Sequence, residues 1–170
     1  MISCKQIPIP KLEGVDLNRL MLFYKMGNQF FLERYNTHSW KSFDLIHEEK
    51  DSPMMKHFPA IKDWVELVKK HTAIKEIKTL YLSVLAPKSS IPWHTDRSDD
   101  VLSNSYITSI ATDKSFIEFE NDKKYTYKTG FSYVIRTGIR HQIMNLSDDY
   151  RITICTTPLG DNPYASMDNK

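Results

Sequence analysis

The chain has 170 residues and a mass of 19.9 kDa, a length at which one compact domain around one hydrophobic core is expected. Apolar residues make up 41% and charged residues 26%, with 23 Lys and Arg against 21 Asp and Glu, the composition of a soluble globular protein with no obvious polyanionic partner. The basic residues are scattered, which gives nucleic-acid binding little support, and the longest apolar runs, residues 20–24 and 152–155, fall far short of the roughly 20 residues that span a bilayer.

The first ten residues lack the continuous apolar core of a secretory signal. Cys4 and Cys155 are the only cysteines, too few for a disulfide framework and not arranged as C-x-x-C, which fits a reducing, cytoplasmic setting. Residues 21–25 and 29–33 mix aromatic and apolar residues in short runs that predict strands or a hairpin around Gly27. From Pro59, apolar residues recur at steps of three and four (Ile61, Trp64, Val65, Leu67, Val68) and end at Lys69-Lys70-His71. This predicts an amphipathic helix with the charge asymmetry a helix dipole favours.

Beyond that helix, runs rich in Thr, Ile, Val, Tyr and Phe predict strands over 77–86, 105–111, 115–120, 125–128, 131–135, 141–145 and 150–156. Turn chemistry separates them, at Pro87-Lys88-Ser89-Ser90, Asn121-Asp122, Thr129-Gly130, Thr137-Gly138 and Ser147-Asp148-Asp149. So many short strands point to a barrel or jelly roll with helices packed outside it. The organisation expected is one domain, with outer helices and flanking strands in 1–76, a β core in 77–157 and a tail in 158–170. No internal repeat argues for a solenoid or propeller.

Within the β-rich half, His94-Thr95-Asp96 follows a proline-bearing strand end, and His141 comes 47 positions later. In an extended segment residues i and i+2 point to the same side, so His94 and Asp96 can offer an imidazole nitrogen and a carboxylate oxygen to one ion. With His141 on a neighbouring strand, the three donors occupy one face of an octahedron and leave the other open, the facial triad of non-haem Fe(II) oxygenases. Three protein ligands leave room for a bidentate 2-oxo acid and for dioxygen. The distal carboxylate of such a co-substrate calls for a guanidinium fork, and Arg151 stands ten positions after His141, across a turn. Arg151, Thr153 and Cys155 alternate with Ile152 and Ile154, so this strand has one polar and one apolar face, as the wall of an enclosed pocket requires.

Trp93-His94-Thr95-Asp96, Thr129-Gly130 before a strand, Arg140-His141 leading to Asn145, and Arg151-Ile152-Thr153-Ile154 resemble the aspartyl/asparaginyl β-hydroxylase-like branch of the Fe(II)/2-oxoglutarate-dependent oxygenases. The resemblance covers residues 80–157. It implies a mainly β fold with flanking helices, a double-stranded β-helix (jelly roll, cupin-like). It further implies that Ser83, eleven positions before His94, binds the 2-oxoglutarate carboxylate beside Arg151. Some members of the branch lack the metal-binding carboxylate, whereas Asp96 is present here. The implied activity is a dioxygenase that couples decarboxylation of 2-oxoglutarate to succinate with hydroxylation of a substrate. Relatives act on free amino acids or on peptide and protein side chains, and both classes stay open.

Blander assignments stand beside these. H-x-D alone is commonly surface turn chemistry, and Arg151 could pair with Asp148 or Asp149. Trp93, Tyr106, Phe131 and Tyr133 could line a substrate pocket or fill the core, and Cys155 could be core or pocket. Arg136 and Arg140 flank the His141 strand and are expected to face outward or toward substrate, and the remaining histidines show no ligand spacing. A cupin-like metalloenzyme that uses no 2-oxoglutarate, and a non-catalytic jelly-roll binding module, are the rival functions.

Overall fold

The computed structural model describes residues 3–34, 37–71, 74–96, 104–111, 114–120 and 124–159. The N-terminal part contains β1 (Cys4–Gln6), helix α1 (Leu17–Gly27), a turn of 3-10 helix (Asn28–Phe30), β2 (Leu32–Arg34), β3 (Thr37–His47), β4 (Lys50–Asp51), a second 3-10 turn (Met55–His57) and helix α2 (Pro59–His71). The remainder is β5 (Glu76–Leu85), β6 (Ser89–His94), β7 (Asn104–Ala111), β8 (Ser115–Phe119), β9 (Lys124–Thr126), β10 (Ser132–Arg136), β11 (His141–Asn145) and β12 (Arg151–Leu159).

The expectation of strands around Gly27 is overturned over residues 21–30, which are α1 and a 3-10 turn, and holds only at Leu32 and Glu33 in β2. Asp16 caps α1 by accepting from the Arg19 amide at 3.0 Å, and Leu20, Tyr24 and Gly27 are buried at helical spacing. The aromatic residues that suggested strands instead supply that buried face: the Phe23 ring sits edge-on to Phe43 and Phe58. A hairpin does form nearby, but between β2 and β3. Helix α2 lies where periodicity placed it and buries Ile61, Trp64, Val65 and Val68, while Leu67 is exposed. β12 continues to Leu159, two residues beyond the expected end of the β core, and the rest of the tail lies outside the described residues.

Two sheets form. The larger runs β1-β10-β7-β12-β5-β3-β2, with β4 attached to β3, and the smaller runs β6-β11-β8-β9. All described pairings are antiparallel, and consecutive strands from β5 to β8 alternate between the sheets. This is the double-stranded β-helix. One apolar cluster, with Leu85, Ile91, Phe119, Ile135 and Ile143, lies between the sheets; the other packs α1 and α2 on the larger sheet through Leu80, Leu82, Val84, Ile152 and Ile154. Each such fully buried aliphatic side chain contributes roughly 1.5–3 kcal/mol, so the helices brace the back of the wall that faces the site. Among the described residues, no helix is long and apolar enough to cross a membrane.

Gly130 makes the turn into β10. Its φ of +83° and the approach of the Leu12 carbonyl, 2.8 Å from where a Cβ would stand, admit only glycine without strain.

Candidate metal centre

His94 ends β6 and His141 begins β11, and the two are direct partners in the antiparallel register. Their rings lie 4.4 Å apart between centroids. Asp96 falls just past β6, where its amide donates to the Thr137 carbonyl at 3.0 Å and ties this segment to the turn before β11. The candidate ligand atoms of His94, Asp96 and His141 all lie within 4.8 Å of one another, the only such group found among the described residues.

The tautomers follow from the backbone. His94 Nδ1 is 2.7 Å from the Pro92 carbonyl and His141 Nδ1 is 2.7 Å from the Ile139 carbonyl. A carbonyl only accepts, so each Nδ1 carries a proton and Nε2 is the nitrogen left to serve as a ligand; the Asp96 carboxylate, itself only an acceptor, favours a second proton on His94 Nε2. Burial pulls the His141 imidazole below its ordinary pKa, which favours the neutral, ligating form. Burial acts the same way on His94, but the Asp96 carboxylate and the Pro92 carbonyl outweigh it and raise the pKa. Asp96 Oδ1 stands 3.3 Å from His94 Nε2. Two imidazoles and one carboxylate on one side of a cavity fit Fe(II) in both donor type and number.

The opposite wall comes from β5 and β12, paired with Arg151 against Leu85 and Thr153 against Ser83. Ser83 and Arg151 line the same small cavity as the three ligand candidates, together with Trp40, Tyr81 and Cys155. The Arg151 side chain is 1% exposed. Its Nη1 donates to Thr153 Oγ1 at 3.4 Å, its guanidinium carbon lies 5.4 Å from the centre of the Tyr127 ring, and its Nε and Nη2 have no hydrogen-bond partner among the described residues. The pairing with Asp148 or Asp149 does not form: Asp148 binds Lys88 at 3.1 Å, and the Arg151 donors meet no carboxylate among the described residues. Burial lowers the Arg151 pKa, partly countered by the Tyr127 oxygen, as expected of a cation enclosed without a carboxylate.

Several aromatic candidates lie elsewhere. Trp93 is on the surface with Arg140 over its ring, while Tyr133 is buried with its hydroxyl accepting from the Lys128 amide at 2.8 Å. Phe131 packs at the edge of the inter-sheet core, and the side chain of Tyr106, on β7, is outside the described residues. Arg140 faces out, but Arg136 is buried. Cys155 is both core and pocket, its thiol 3.9 Å from Thr153 Oγ1. Trp40, Tyr81 and Tyr127 were not identified from sequence, since no spacing to the ligands marks them. A larger apolar cavity of about 580 Å³ lies against α1 and β3, but it shares no residue with the ligand cluster.

The sequence model of the aspartyl/asparaginyl β-hydroxylase family matches residues 16–157. Among solved structures, a prolyl-4-hydroxylase from Pseudomonas putida is similar at a TM-score of 0.56 and 11% identity, over 94% of each chain. An oxidoreductase of the 2OG-Fe(II) oxygenase family from Burkholderia pseudomallei is similar at a TM-score of 0.53 and 11% identity, over 91% of this chain and 82% of that one. At such identity these two show the fold alone. No curated protein sequence matches the chain. The family match spans both flanking helices and every strand that bears a ligand candidate, and on it the chain belongs to the aspartyl/asparaginyl β-hydroxylase family.

Proposed function

We propose that the protein is an Fe(II)- and 2-oxoglutarate-dependent dioxygenase that hydroxylates an amino acid or a peptide or protein side chain. His94, Asp96 and His141 hold the metal, and Arg151 and Ser83 bind the distal carboxylate of 2-oxoglutarate. Bound Fe(II) would supply dioxygen activation coupled to oxidative decarboxylation of the 2-oxo acid to succinate. The chain's own residues bind and orient. The Pro92 and Ile139 carbonyls hold the protons on Nδ1 so that both Nε2 atoms are available as ligands. Burial of His141, Ser83 and Arg151 excludes water from the inner end of the cavity.

The observation that carries this reading is the buried Arg151 guanidinium, with two donors unpartnered among the described residues, in the cavity that holds the His94, Asp96 and His141 cluster. A group that costly to bury is understood if a carboxylate ligand completes it. A cupin-like metalloenzyme without a 2-oxo acid would have no use for that cation. Anaerobic titration with Fe(II) and then 2-oxoglutarate tests the proposal. The visible charge-transfer band of the chelated 2-oxo acid should appear with wild type, vanish with His141→Ala and weaken with Arg151→Ala. Metal binding without the band would favour the cupin-like alternative, and no metal binding would favour a non-catalytic module.

A further inference from the structure

We infer that Trp40 is a positioning residue that sets the direction of the Ser83 hydroxyl, turning its proton toward the co-substrate cavity. The inference rests on the 2-oxoglutarate reading above. A serine hydroxyl can donate once and accept twice, whereas an indole N–H can only donate. Trp40 Nε1 lies 2.9 Å from Ser83 Oγ, in a bond buried at both ends. At that contact Ser83 must be the acceptor, so its own proton cannot point at Trp40. No acceptor for that proton occurs among the described residues, and Ser83 is 2% exposed. Ser83 also lines the cavity with Arg151.

The inner end of the cavity therefore presents donors: the Ser83 O–H, and Nε and Nη2 of Arg151. A carboxylate only accepts, and so matches this set without rearrangement. An amide in its place keeps one acceptor, its carbonyl oxygen, but sets an NH2 against the remaining donors and leaves those groups unpaired. Trp40 also stands with its ring 5.9 Å from that of His94, so one side chain from β3 braces the serine and borders the metal side. The bland alternative is that Trp40 only fills the inter-sheet core, to which it also belongs.

Calorimetric binding of 2-oxoglutarate, with Mn(II) in place of Fe(II) so that no turnover is needed, separates the two. Trp40→Phe keeps the aromatic bulk and removes the N–H. It should raise the Kd for 2-oxoglutarate about 3- to 10-fold, the loss expected when one donor to a charged ligand is no longer held in place. Ser83→Ala should raise it at least as much, and Trp40→Phe added to Ser83→Ala should change it less than about 2-fold. A core-filling role would give the same Trp40→Phe penalty in both backgrounds. That result, or an unchanged Kd in the single variant, overturns the inference.

A second measurement stands even if Trp40→Phe fails to fold. Wild type should prefer 2-oxoglutarate over its 5-amide more strongly than Ser83→Ala does; an undiminished preference in Ser83→Ala would mean that the serine is not a fixed donor. If wild type binds no 2-oxoglutarate, the functional reading itself fails. If it binds but shows no coupling between Trp40 and Ser83, only the present inference does.

Discussion

Replacing Arg151 by methionine should stabilise the ligand-free protein while abolishing its response to 2-oxoglutarate. In the wild-type structure the guanidinium is enclosed, with Nε and Nη2 unpartnered among the described residues, and each such donor costs about 1–3 kcal/mol. What the substitution removes is small: a hydrogen bond to Thr153 at the long end of the range, and a cation–π contact with Tyr127 worth about 0.5–2 kcal/mol. Methionine has a similar reach and no polar hydrogen, so the net gain should be about 1–3 kcal/mol, or roughly 2–10 °C in Tm for a domain of this size. Wild type should gain about 2.7 kcal/mol when 2-oxoglutarate is present with metal at 100 times its Kd, and the variant almost nothing. Thermal and urea unfolding with and without 2-oxoglutarate and Mn(II) measures both effects. A variant more than 1 kcal/mol less stable than wild type without ligand, or one that keeps most of the ligand-induced shift, would refute the reasoning.

Two further outcomes concern the frame around the site. Burial pushes the Cys4 thiol from an ordinary 9.0 up to about 12, so the stability it contributes is complete below pH 9 and is lost as pH rises toward 12. The limiting slope is about 1.4 kcal/mol per pH unit, and urea unfolding of Cys4→Ala should be flatter than wild type across that window. Gly130→Ala places a methyl group 2.8 Å from the Leu12 carbonyl at a φ of +83°, and its urea midpoint should report a loss of about 1–3 kcal/mol; an unchanged midpoint would mean that the Lys11-Leu12 segment yields freely.

The grouping of His94, Asp96 and His141 was legible because each part of its signal is carried by a short stretch of sequence. His94 and Asp96 are two apart, and His141 opens a strand whose own pattern is clear. The two faces of β12 were equally plain, since Ile152 and Ile154 alternate with Arg151, Thr153 and Cys155 without interruption. Trp40 could not be read this way. It reaches Ser83 only because β3 pairs with β5, and the β3 pattern is broken by an irregularity between Asp44 and Ile46 that buries both Leu45 and Ile46. A period-two reading fails across such a bulge. Helix α1 was hidden for a different reason: its apolar positions include Phe23 and Tyr24, residues that favour strands, and only the Asp16 cap and tertiary packing select the helix.

Because helix-facing isoleucines and cavity-facing groups alternate along β12, a change of length inside that strand has a consequence that one in the loop joining Asn145 to Arg151 does not. Asn145 anchors the loop by donating to the carbonyls of Leu85, Ala86 and Asp149. β11 and β12 lie in different sheets, so a residue lost from the loop only shortens it, whereas one lost within β12 would carry the residues beyond it to the opposite face, setting isoleucines against the cavity and polar groups under the helices. Natural variants should therefore differ in length within 146–150 and keep the length of β12, or carry a compensating bulge in it.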